Sequence, residues 1–296
     1  MLGARVLLFK KIDIIPNLNY IISDPDNYYI TAENGTFITW TVNAKRHSIA
    51  GNYYHTMAIG TDGTLSAWGS NLFGQLGNNS IEDSLVPIKI NLPPVASVAC
   101  GYNYTMALGT DGTLSAWGYN KLGQLGNGSD SDSHVPIKIN LPPVASVACG
   151  YNYTMALGTD GTLSAWGSNN NNGQLGNGYT SESHVPIKIN LPPVASVACG
   201  AYYTMALGID GTLSAWGQNN YGQLGSGSAS VYSVPIKINL PPVASVACGY
   251  NSTMALGIDG TLSAWGRNNY GQLGNGSDSD SHVPIKINLP PVAIFP

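Results

Sequence analysis

The stretch Asp160-Gly-Thr-Leu-Ser-Ala-Trp-Gly167 decides the fold, because the chain contains five identical copies of it. The tryptophans of these copies lie 49, 49, 50 and 49 residues apart, at Trp68, Trp117, Trp166, Trp216 and Trp265. A constant period of this length is typical of repeat architectures, in which each copy forms one structural unit and packs on its neighbours. Much of the 296-residue chain is therefore one unit repeated five times.

Each repeat predicts four short strands. Residues 153–157 and 162–166 are strand-like runs around Asp160-Gly161, a dipeptide that favours a type I′ hairpin turn. Residues 186–189 and 194–198 form a second pair, and the two prolines between them prevent continuous pairing. The repeats show no helical periodicity, so we expect an all-β protein.

Four strands every 49 or 50 residues are typical of a β-propeller blade, because a single blade leaves two apolar faces that neighbouring blades must cover. A bulky aromatic residue at a fixed point of each repeat is suited to packing between blades. We therefore interpret the tryptophans as structural core residues of the repeats; they are Trp40, Trp68, Trp117, Trp166, Trp216 and Trp265.

The first fifty residues predict a sixth, divergent repeat. Pro16 to Gly35 has the same spacing as Pro142 to Gly161, so residues 36–40 replace the strand that ends in tryptophan elsewhere. This copy lacks the Gly-Gln-Leu-Gly and Pro-Ile-Lys-Ile segments. We expect one propeller domain over residues 1–296, with a shortened repeat at 1–50 and five near-identical repeats at 51–296.

Ring closure is predicted to involve both termini. Residues 284–296 add one strand beyond the last complete repeat, and residues 4–9 form an apolar stretch without a partner in their own copy. Pairing of the termini would remove the exposed edges of an open ring. The ring would then have six blades, or a seventh composite blade made from both ends.

Composition excludes several function classes. Only 9% of residues are charged and the net charge is −4, whereas nucleic-acid binding requires a basic face or stripe. The longest apolar run near the start, residues 6–9, is too short for membrane insertion or a signal peptide. Unpaired cysteines favour a cytoplasmic location, while Asn-x-Ser/Thr triplets keep secretion open.

No catalytic, cofactor or metal site is predicted. The cysteines occupy one repeated position and are interpreted as reduced, small apolar residues; they are Cys100, Cys149, Cys199 and Cys248. Three histidines recur before Val-Pro without a nucleophile or carboxylate at catalytic spacing. Asp130-Ser-Asp132 begins like a calcium loop but lacks its later ligands. We therefore expect a protein that is not an enzyme.

The combined motifs resemble the regulator-of-chromosome-condensation repeat. The resemblance rests on Val147-Ala-Cys-Gly150, residues 153–157, Asp160-Gly161, Trp166-Gly167 and Gly173-Gln-Leu-Gly176, and it recurs in all five copies. It implies a propeller, usually of seven blades, in a family whose members mostly bind proteins. The family's founding member exchanges nucleotide on a small GTPase by means of a wedge-like insertion, and no repeat from Gly51 onward contains an insertion longer than one residue.

The repeats differ mainly in the loop after Trp-Gly, and surface loops on a rigid scaffold commonly carry recognition. The loop residues suited to an interface are Phe73, Tyr119, Lys121, Tyr221, Arg267 and Tyr270. Neutral drift is the alternative explanation. The primary prediction is a protein-binding module of unknown partner. The alternatives are a regulator of a small GTPase and a propeller that binds several glycans through repeated weak sites.

Overall fold

The structure is a computed structural model that describes residues 18–24, 27–32, 37–41 and 48–290. All regular elements in these ranges are β-strands, as predicted. The chain divides into two compact units, Met1–Arg46 and His47–Pro296. The predicted pairing of the termini involves residues 4–9 and 284–296, and most of these lie outside the described ranges.

The first unit contains a three-stranded antiparallel sheet in the order β1-β2-β3. Its strands are β1 (Leu18–Asp24), β2 (Asn27–Ala32) and β3 (Phe37–Thr41). β2 and β3 lie at the positions expected from aligning this segment with residues 142–161 and the strand that follows, whereas β1 ends one residue later than expected. Trp40 lies in β3 opposite Tyr28, the same register that pairs Trp166 with Thr154 in a full repeat.

The second unit contains five four-stranded antiparallel sheets, which are the blades. Blade 1 consists of β4 (Ser48–Asn52), β5 (His55–Ile59), β6 (Leu65–Gly69) and β7 (Ser84–Lys89). Blade 2 consists of β8 (Val95–Cys100), β9 (Tyr104–Gly109), β10 (Leu114–Gly118) and β11 (Ser133–Ile139). Blade 3 consists of β12 (Val144–Cys149), β13 (Tyr153–Gly158), β14 (Leu163–Gly167) and β15 (Ser183–Ile189).

The last two blades repeat this order. Blade 4 consists of β16 (Val194–Cys199), β17 (Tyr203–Gly208), β18 (Leu213–Gly217) and β19 (Tyr232–Lys237). Blade 5 consists of β20 (Val243–Cys248), β21 (Ser252–Gly257), β22 (Leu262–Gly266) and β23 (Ser281–Lys286). The four strands predicted for each repeat are therefore confirmed.

The predicted type I′ turn is wrong. In the turn of blade 3, Gly161 has a φ of 79° and is the only turn residue with a positive φ, whereas a type I′ turn requires two. The amide of Gly158 donates to the Thr162 carbonyl at 2.8 Å, and the Gly161 amide donates to the Gly158 carbonyl at 3.0 Å. These bonds define a three-residue loop in which a left-handed glycine follows a type I turn. Asp160 stabilises the loop by accepting the Thr162 amide at 2.9 Å.

Neighbouring blades share their cores. The first strand of each blade lies beside the first strand of the next, from β4 to β20. Between blades 1 and 2, the buried side chains of Met57, Leu65 and Leu76 form one cluster with Trp117 of blade 2. The same arrangement recurs at the next three boundaries. Each blade therefore covers the apolar face of its neighbour, as the repeat pattern predicts.

Four of the repeated tryptophans lie at these boundaries. Trp117, Trp166, Trp216 and Trp265 are fully buried. Trp117 donates its indole N–H to the main-chain oxygen of Gln75 in the preceding blade at 2.8 Å, which satisfies the polar atom of an otherwise apolar side chain. Trp68 in the first blade is only partly buried.

The antiparallel strands divide every blade into two ends. We call one the loop end: it holds the turn between strands one and two and the long loop between strands three and four, such as residues 101–103 and 119–132 of blade 2. The other, the turn end, holds the Asp-Gly turn and the link to the next blade, such as residues 110–113 and 140–143. The Tyr119 amide donates to the Asn103 carbonyl at 2.9 Å, which joins both segments of the loop end.

Candidate protein-binding surface

Six tyrosines gather at the loop end, on the turns that follow the first strand of each blade. We call them the central tyrosines; they are Tyr53, Tyr54, Tyr102, Tyr151, Tyr202 and Tyr250. Because the first strands of successive blades are adjacent, the turns at their ends converge. One tyrosine per repeat is therefore enough to build a continuous aromatic cluster.

The ring contacts connect all five blades. Tyr102 and Tyr151 are stacked, with centroids 4.1 Å apart and an interplanar angle of 19°. Tyr53 lies edge-on to Tyr102 at 5.1 Å and to Tyr250 at 6.4 Å. Since Tyr53 belongs to blade 1 and Tyr250 to blade 5, the cluster brings together the first and last blades of the unit.

Main-chain hydrogen bonds hold the turns beneath these rings. The Tyr102 amide donates to the Tyr151 carbonyl at 3.0 Å, and the Tyr151 amide donates to the Ala201 carbonyl at 3.1 Å. The Ala201 amide in turn donates to the Tyr250 carbonyl at 3.3 Å. In blade 4 the turn residue is therefore alanine, and the neighbouring Tyr202 supplies the ring instead.

Blade 1 departs from the other blades at this turn. The turn has the same length as in blade 2, but Gly51 lies in β4 at the position of Cys100, and Asn52 occupies the position of Gly101. Tyr53 has a φ of 38°, which is unusual for a residue with a side chain. Its side chain is nevertheless 54% exposed. The turn thus places an aromatic ring at the surface at a cost in backbone strain.

Four of the central tyrosines have a raised pKa; they are Tyr53, Tyr54, Tyr151 and Tyr202. Burial and the neighbouring phenols raise the pKa of Tyr202 to about 12. Burial, followed by the nearby Tyr250, Tyr102 and Tyr54, raises the pKa of Tyr53. The Tyr102 hydroxyl lies 3.4 Å from the Tyr54 hydroxyl and donates to it. The cluster therefore offers aromatic rings, and at Tyr53 and Tyr202 a phenolic O–H group whose loss of a proton is disfavoured.

A buried asparagine fixes each long loop at this end. In blade 2, the Asn120 amide group donates to Asn127 Oδ1 at 3.0 Å, the Ser129 carbonyl at 2.9 Å and the Ser131 carbonyl at 3.0 Å. Its side-chain oxygen accepts the Leu125 amide at 2.9 Å. The loops are therefore ordered by their own polar interior, which leaves the residues on either side of the asparagine free to differ between repeats.

The structure brings four of the six predicted interface residues together as two pairs, which we call the rim pairs. The rings of Phe73 and Tyr119 are 4.9 Å apart across the boundary of blades 1 and 2. The guanidinium carbon of Arg267 lies 4.9 Å from the ring centroid of Tyr221 across the boundary of blades 4 and 5. The six residues do not form one contiguous cluster.

The other two predicted residues belong to neither rim pair, although Lys121 lies on the loop of Tyr119 and Tyr270 on the loop of Arg267. Lys121 is exposed in blade 2, and Tyr270 in blade 5 is 86% exposed. The blade 3 loop has asparagines where the other blades have larger residues, and Asn171 there has a φ of 55°. The long loops therefore present different chemistry at each blade boundary.

Charge is distributed unequally between the two ends of the blades. Between Trp-Gly and the fourth strand, the blades contain seven carboxylates and two cations, Lys121 and Arg267. The carboxylates are Glu82, Asp83, Asp130, Asp132, Glu182, Asp278 and Asp280. At the turn end, every blade has one aspartate in its turn and one lysine in its fourth strand, so these charges balance. The loop end is the acidic end.

The histidine, aspartate and cysteine residues considered in the sequence analysis lie in contacts that belong to the fold. His134 lies against Gly74, where a Cβ would be 2.5 Å from the imidazole, and Asp132 accepts the Asn120 amide at 2.9 Å. The four cysteines are free, and burial raises the pKa of the Cys149 thiol to about 12. Within the described ranges, no three His, Cys, Asp or Glu residues are grouped to hold a metal ion.

His55 is a buried member of a second repeated set. It occupies the position of Tyr104 and Tyr153, and its Nε2 lies 3.0 Å from Thr105 Oγ1 in the next blade. Burial lowers the pKa of His55 to about 4, so the imidazole is neutral at physiological pH. In blades 2 to 4 the buried tyrosine at this position bonds across the boundary to the next blade. The Tyr203 hydroxyl, for example, donates to the Ser252 carbonyl at 2.6 Å.

Sequence analysis missed the central tyrosines and selected only the long loops. A usable signal was present: every blade has a tyrosine within the three residues that follow its first strand. In a propeller whose first strands adjoin, the turns after them must meet. Convergence of the blades therefore favours these turns, whereas sequence variability alone favours the more peripheral loops.

Comparison with known proteins places the chain in a family. Residues 32–294 match the RCC1-like domain, and the chain belongs to that family. The resemblance to the regulator-of-chromosome-condensation repeat is therefore confirmed, and so is the propeller class. Among curated proteins, none is significantly similar to the chain in sequence.

Solved structures have the same fold. Human WBSCR16 is 26% identical, with a TM-score of 0.74 over 82% of this chain and 67% of that one. Yeast RCC1 (Prp20), solved with Kap60 bound, is 22% identical with a TM-score of 0.75 over 91% of this chain and 72% of its own. Prp20p of Saccharomyces cerevisiae, studied with its binding properties to Gsp1p and histones, is 23% identical with a TM-score of 0.74, covering 91% and 74%. In the described part of this chain, no helix is long and apolar enough to cross a membrane.

Proposed function

We propose that the chain is a non-enzymatic protein-binding module and that the loop end of its blades is the binding surface. The observation that carries this proposal is the cluster of six tyrosines on a rigid scaffold, three of which are about half exposed: Tyr53, Tyr54 and Tyr250. Tyrosine is enriched in interface hot spots because it combines a large apolar area with a hydroxyl and has few rotatable bonds.

The long loops extend this surface outward. The rim pair of Phe73 and Tyr119 lies on loops that leave the same end as the central tyrosines, and the Tyr119 amide is bonded to a central turn. Loops that are fixed from below by buried asparagines lose little conformational entropy on binding, which favours affinity. The described residues therefore provide both a preorganised centre and a varied periphery.

Binding to a small GTPase is the second candidate. It is supported by the shared fold of Prp20p, whose binding properties to Gsp1p and to histones have been studied. Binding without nucleotide exchange fits the blades better, because the links between their strands from Ser48 to Pro290 are of nearly constant length and include no wedge-like segment. A GTPase is accordingly a partner to test within the same proposal.

The test is capture of proteins from the native source by the purified chain and two variants. The loop-end variant combines Phe73→Asn, Tyr119→Ser, Tyr221→Asn and Arg267→Ser, which are the residues that blade 3 has at the equivalent positions. The control variant combines Ile209→Thr and Ile258→Thr. These exposed turn-end residues are replaced by the threonine found in the other blades.

We expect specific capture by the wild-type chain and by the turn-end control, with strong loss for the loop-end variant. Equal capture by all three proteins would refute the long loops as part of the binding surface. If a captured protein is a small GTPase, its rate of nucleotide release with and without the chain decides between simple binding and exchange.

A further inference from the structure

The central tyrosines and the acidic long loops are two independent features of the same end. Three central tyrosines are about half exposed, at 54% for Tyr53, 54% for Tyr54 and 48% for Tyr250. The loops at this end have seven carboxylates against two cations, and six of the seven are exposed. Aromatic rings attract cations through their quadrupole, and carboxylates attract them through charge.

One rim pair already shows a tyrosine ring in contact with a cation. The Arg267 guanidinium lies over the Tyr221 ring at 4.9 Å, within the range of a cation–π contact. An arginine or lysine from another protein would find the same kind of ring in the central cluster, but without an internal cation described beside it. The chemistry of the cluster is therefore complementary to a basic side chain.

The backbone at Tyr53 is a third, separate observation. A φ of 38° for tyrosine is strained, and strained residues in rigid scaffolds concentrate at functional sites. Glycine would relieve the strain at this position, and the other long or short turns of the blades use glycine at nearly every positive φ. Retaining tyrosine here keeps a ring at the meeting point of blades 1, 2, 3 and 5.

We propose that the central tyrosines bind a lysine- or arginine-containing extended segment of a partner protein, with one cationic side chain against the exposed rings and further cations near the acidic loops. This inference rests on the proposed function and specifies the chemistry of the partner. Exposed carboxylates such as Glu82, Asp130 and Asp278 attract the segment, and the tyrosines select the side chain that lies at the centre.

The probe is a short Gly/Ser-based peptide that contains several lysines, titrated against the full chain by fluorescence anisotropy. The matched probe has glutamine at every lysine. We expect the lysine peptide to bind more tightly than the glutamine peptide by at least about tenfold, and to weaken as ionic strength rises. Equal binding of both peptides, or none of either, overturns the proposal, as does preference for a proline-rich peptide or a free oligosaccharide.

Tyr53 variants separate recognition from folding. Tyr53→Gly removes the ring and relieves the positive φ, so we expect about tenfold weaker peptide binding with unchanged or higher resistance to urea. Tyr53→Phe retains the ring and is expected to bind the lysine peptide within about twofold of wild type. Unaltered binding by Tyr53→Gly would exclude Tyr53 from the site.

Charge variants test the acidic loops with a matched control. Glu82→Gln, Asp130→Asn and Asp278→Asn together remove three charges at the loop end, whereas Asp111→Asn, Asp160→Asn and Asp210→Asn remove three at the turn end. We expect about fivefold weaker binding for the first set and little change for the second. Equal weakening by both sets would reduce the effect to net charge and contradict a loop-end site.

The two proposals fail in different ways. If the loop-end variant loses protein capture and the lysine peptide does not bind, the proposal that the loop end is the binding surface stands. Only the proposal that the partner is basic is then refuted. Capture that is insensitive to the loop-end variant, combined with lysine binding at Tyr53, would retain the basic site and refute the role of the long loops.

Discussion

The two ends of the blades are built by the same repeats, yet they differ in how much they vary. Blades 2 and 5, compared over residues 101–145 and 249–293, differ at five of 45 positions. Only one difference, Thr110 against Ile258, lies at the turn end. The other four lie at or beside the loop end, at residues 104, 119, 121 and 122 of blade 2.

Local structure explains this contrast. At the turn end, the aspartate of each turn is bonded to the following threonine; Asp111 accepts the Thr113 amide at 3.0 Å and its hydroxyl at 2.7 Å. The exposed aspartate therefore also defines the turn, so it cannot be replaced freely. At the loop end, buried asparagines define the loop, and the exposed positions beside them can differ without a loss of order. A uniform scaffold can thus present varied chemistry at one end only.

The largest expected effect comes from adding one methyl group at each end. Gly126 at the loop end has a φ of +79°, and Gly126→Ala would place a Cβ 2.6 Å from Trp166 Nε1. Gly112→Ala at the turn end has the same φ, but the nearest atom is 3.7 Å away. We expect Gly126→Ala to lower the free energy of unfolding by about 4 kcal/mol and Gly112→Ala by about 1 kcal/mol, measured by urea denaturation. Equal losses would contradict tight packing of tryptophan under the loop end.

The second prediction concerns acid. The His55 pKa is about 4 when folded and 6.5 when unfolded, so the unfolded chain binds the extra proton and stability falls as the pH drops from about 6.5 to 4. The loss is about 3 kcal/mol at most. At the turn end, bonds from Thr162 lower the pKa of Asp160, so its contribution is lost only at more acidic pH.

His55→Tyr introduces the residue that blades 2, 3 and 4 have at this position. We expect this variant to flatten the dependence of unfolding free energy on pH between about 6.5 and 4, a window set by the unfolded and folded pKa of His55. The measurement is a series of urea titrations across this range. A slope that persists in His55→Tyr would assign the acid sensitivity to other groups.

The third prediction separates two sets of tyrosines at the loop end. The buried Tyr153 hydroxyl donates to the Gly200 carbonyl at 3.2 Å and accepts from Thr204 Oγ1 at 3.2 Å. Tyr153→Phe removes this buried hydroxyl from both groups, while Thr204 Oγ1 keeps its bond to the Gln174 carbonyl, and we expect a cost of about 2 kcal/mol of unfolding free energy. Tyr250→Phe, in the exposed cluster, should change stability by less than about 0.5 kcal/mol. The reverse order would mean that the central tyrosines are scaffold residues.

The smallest effect is expected at a rim pair. A double-mutant cycle with Phe73→Asn and Tyr119→Ser should give a coupling free energy of about 0.5 to 1 kcal/mol, because the rings are partly exposed and 4.9 Å apart. The cycle is measured by urea denaturation of the two single variants and the double variant. A larger coupling would indicate that this pair stabilises the blade boundary instead of serving as a replaceable periphery.

Much of the fold was predictable because the repeat supplies the same information five times. The period gave the blades, and the alignment of residues 16–35 with 142–161 located the strands of the first unit. The turn type was not predictable from Asp160-Gly161, because Asp160 bonds to Thr162 and favours a three-residue loop over a two-residue one. Local dipeptide preference yields to such side-chain bonds.

The candidate surface was only partly predictable. Variation between copies indicated the long loops, but pairing of Phe73 with Tyr119 depends on how adjacent blades pack. The cluster around Tyr53 depends on the convergence of turns that are about fifty residues apart in sequence. The repeated tyrosine after each first strand indicates the cluster only once the first strands are known to be neighbours, and the contact between Phe73 and Tyr119 likewise depends on that packing.

The most direct test of the loop end as the binding surface is hydrogen–deuterium exchange of the chain, alone and in complex with a captured partner protein. We predict slower exchange on binding at the turns that hold the central tyrosines, including residues 52–54 and 101–103, and in the long loops. The Asp-Gly turns, such as residues 109–113 and 158–162, should exchange at the same rate in both states. Protection confined to those turns, with the tyrosine turns unchanged, would contradict the account.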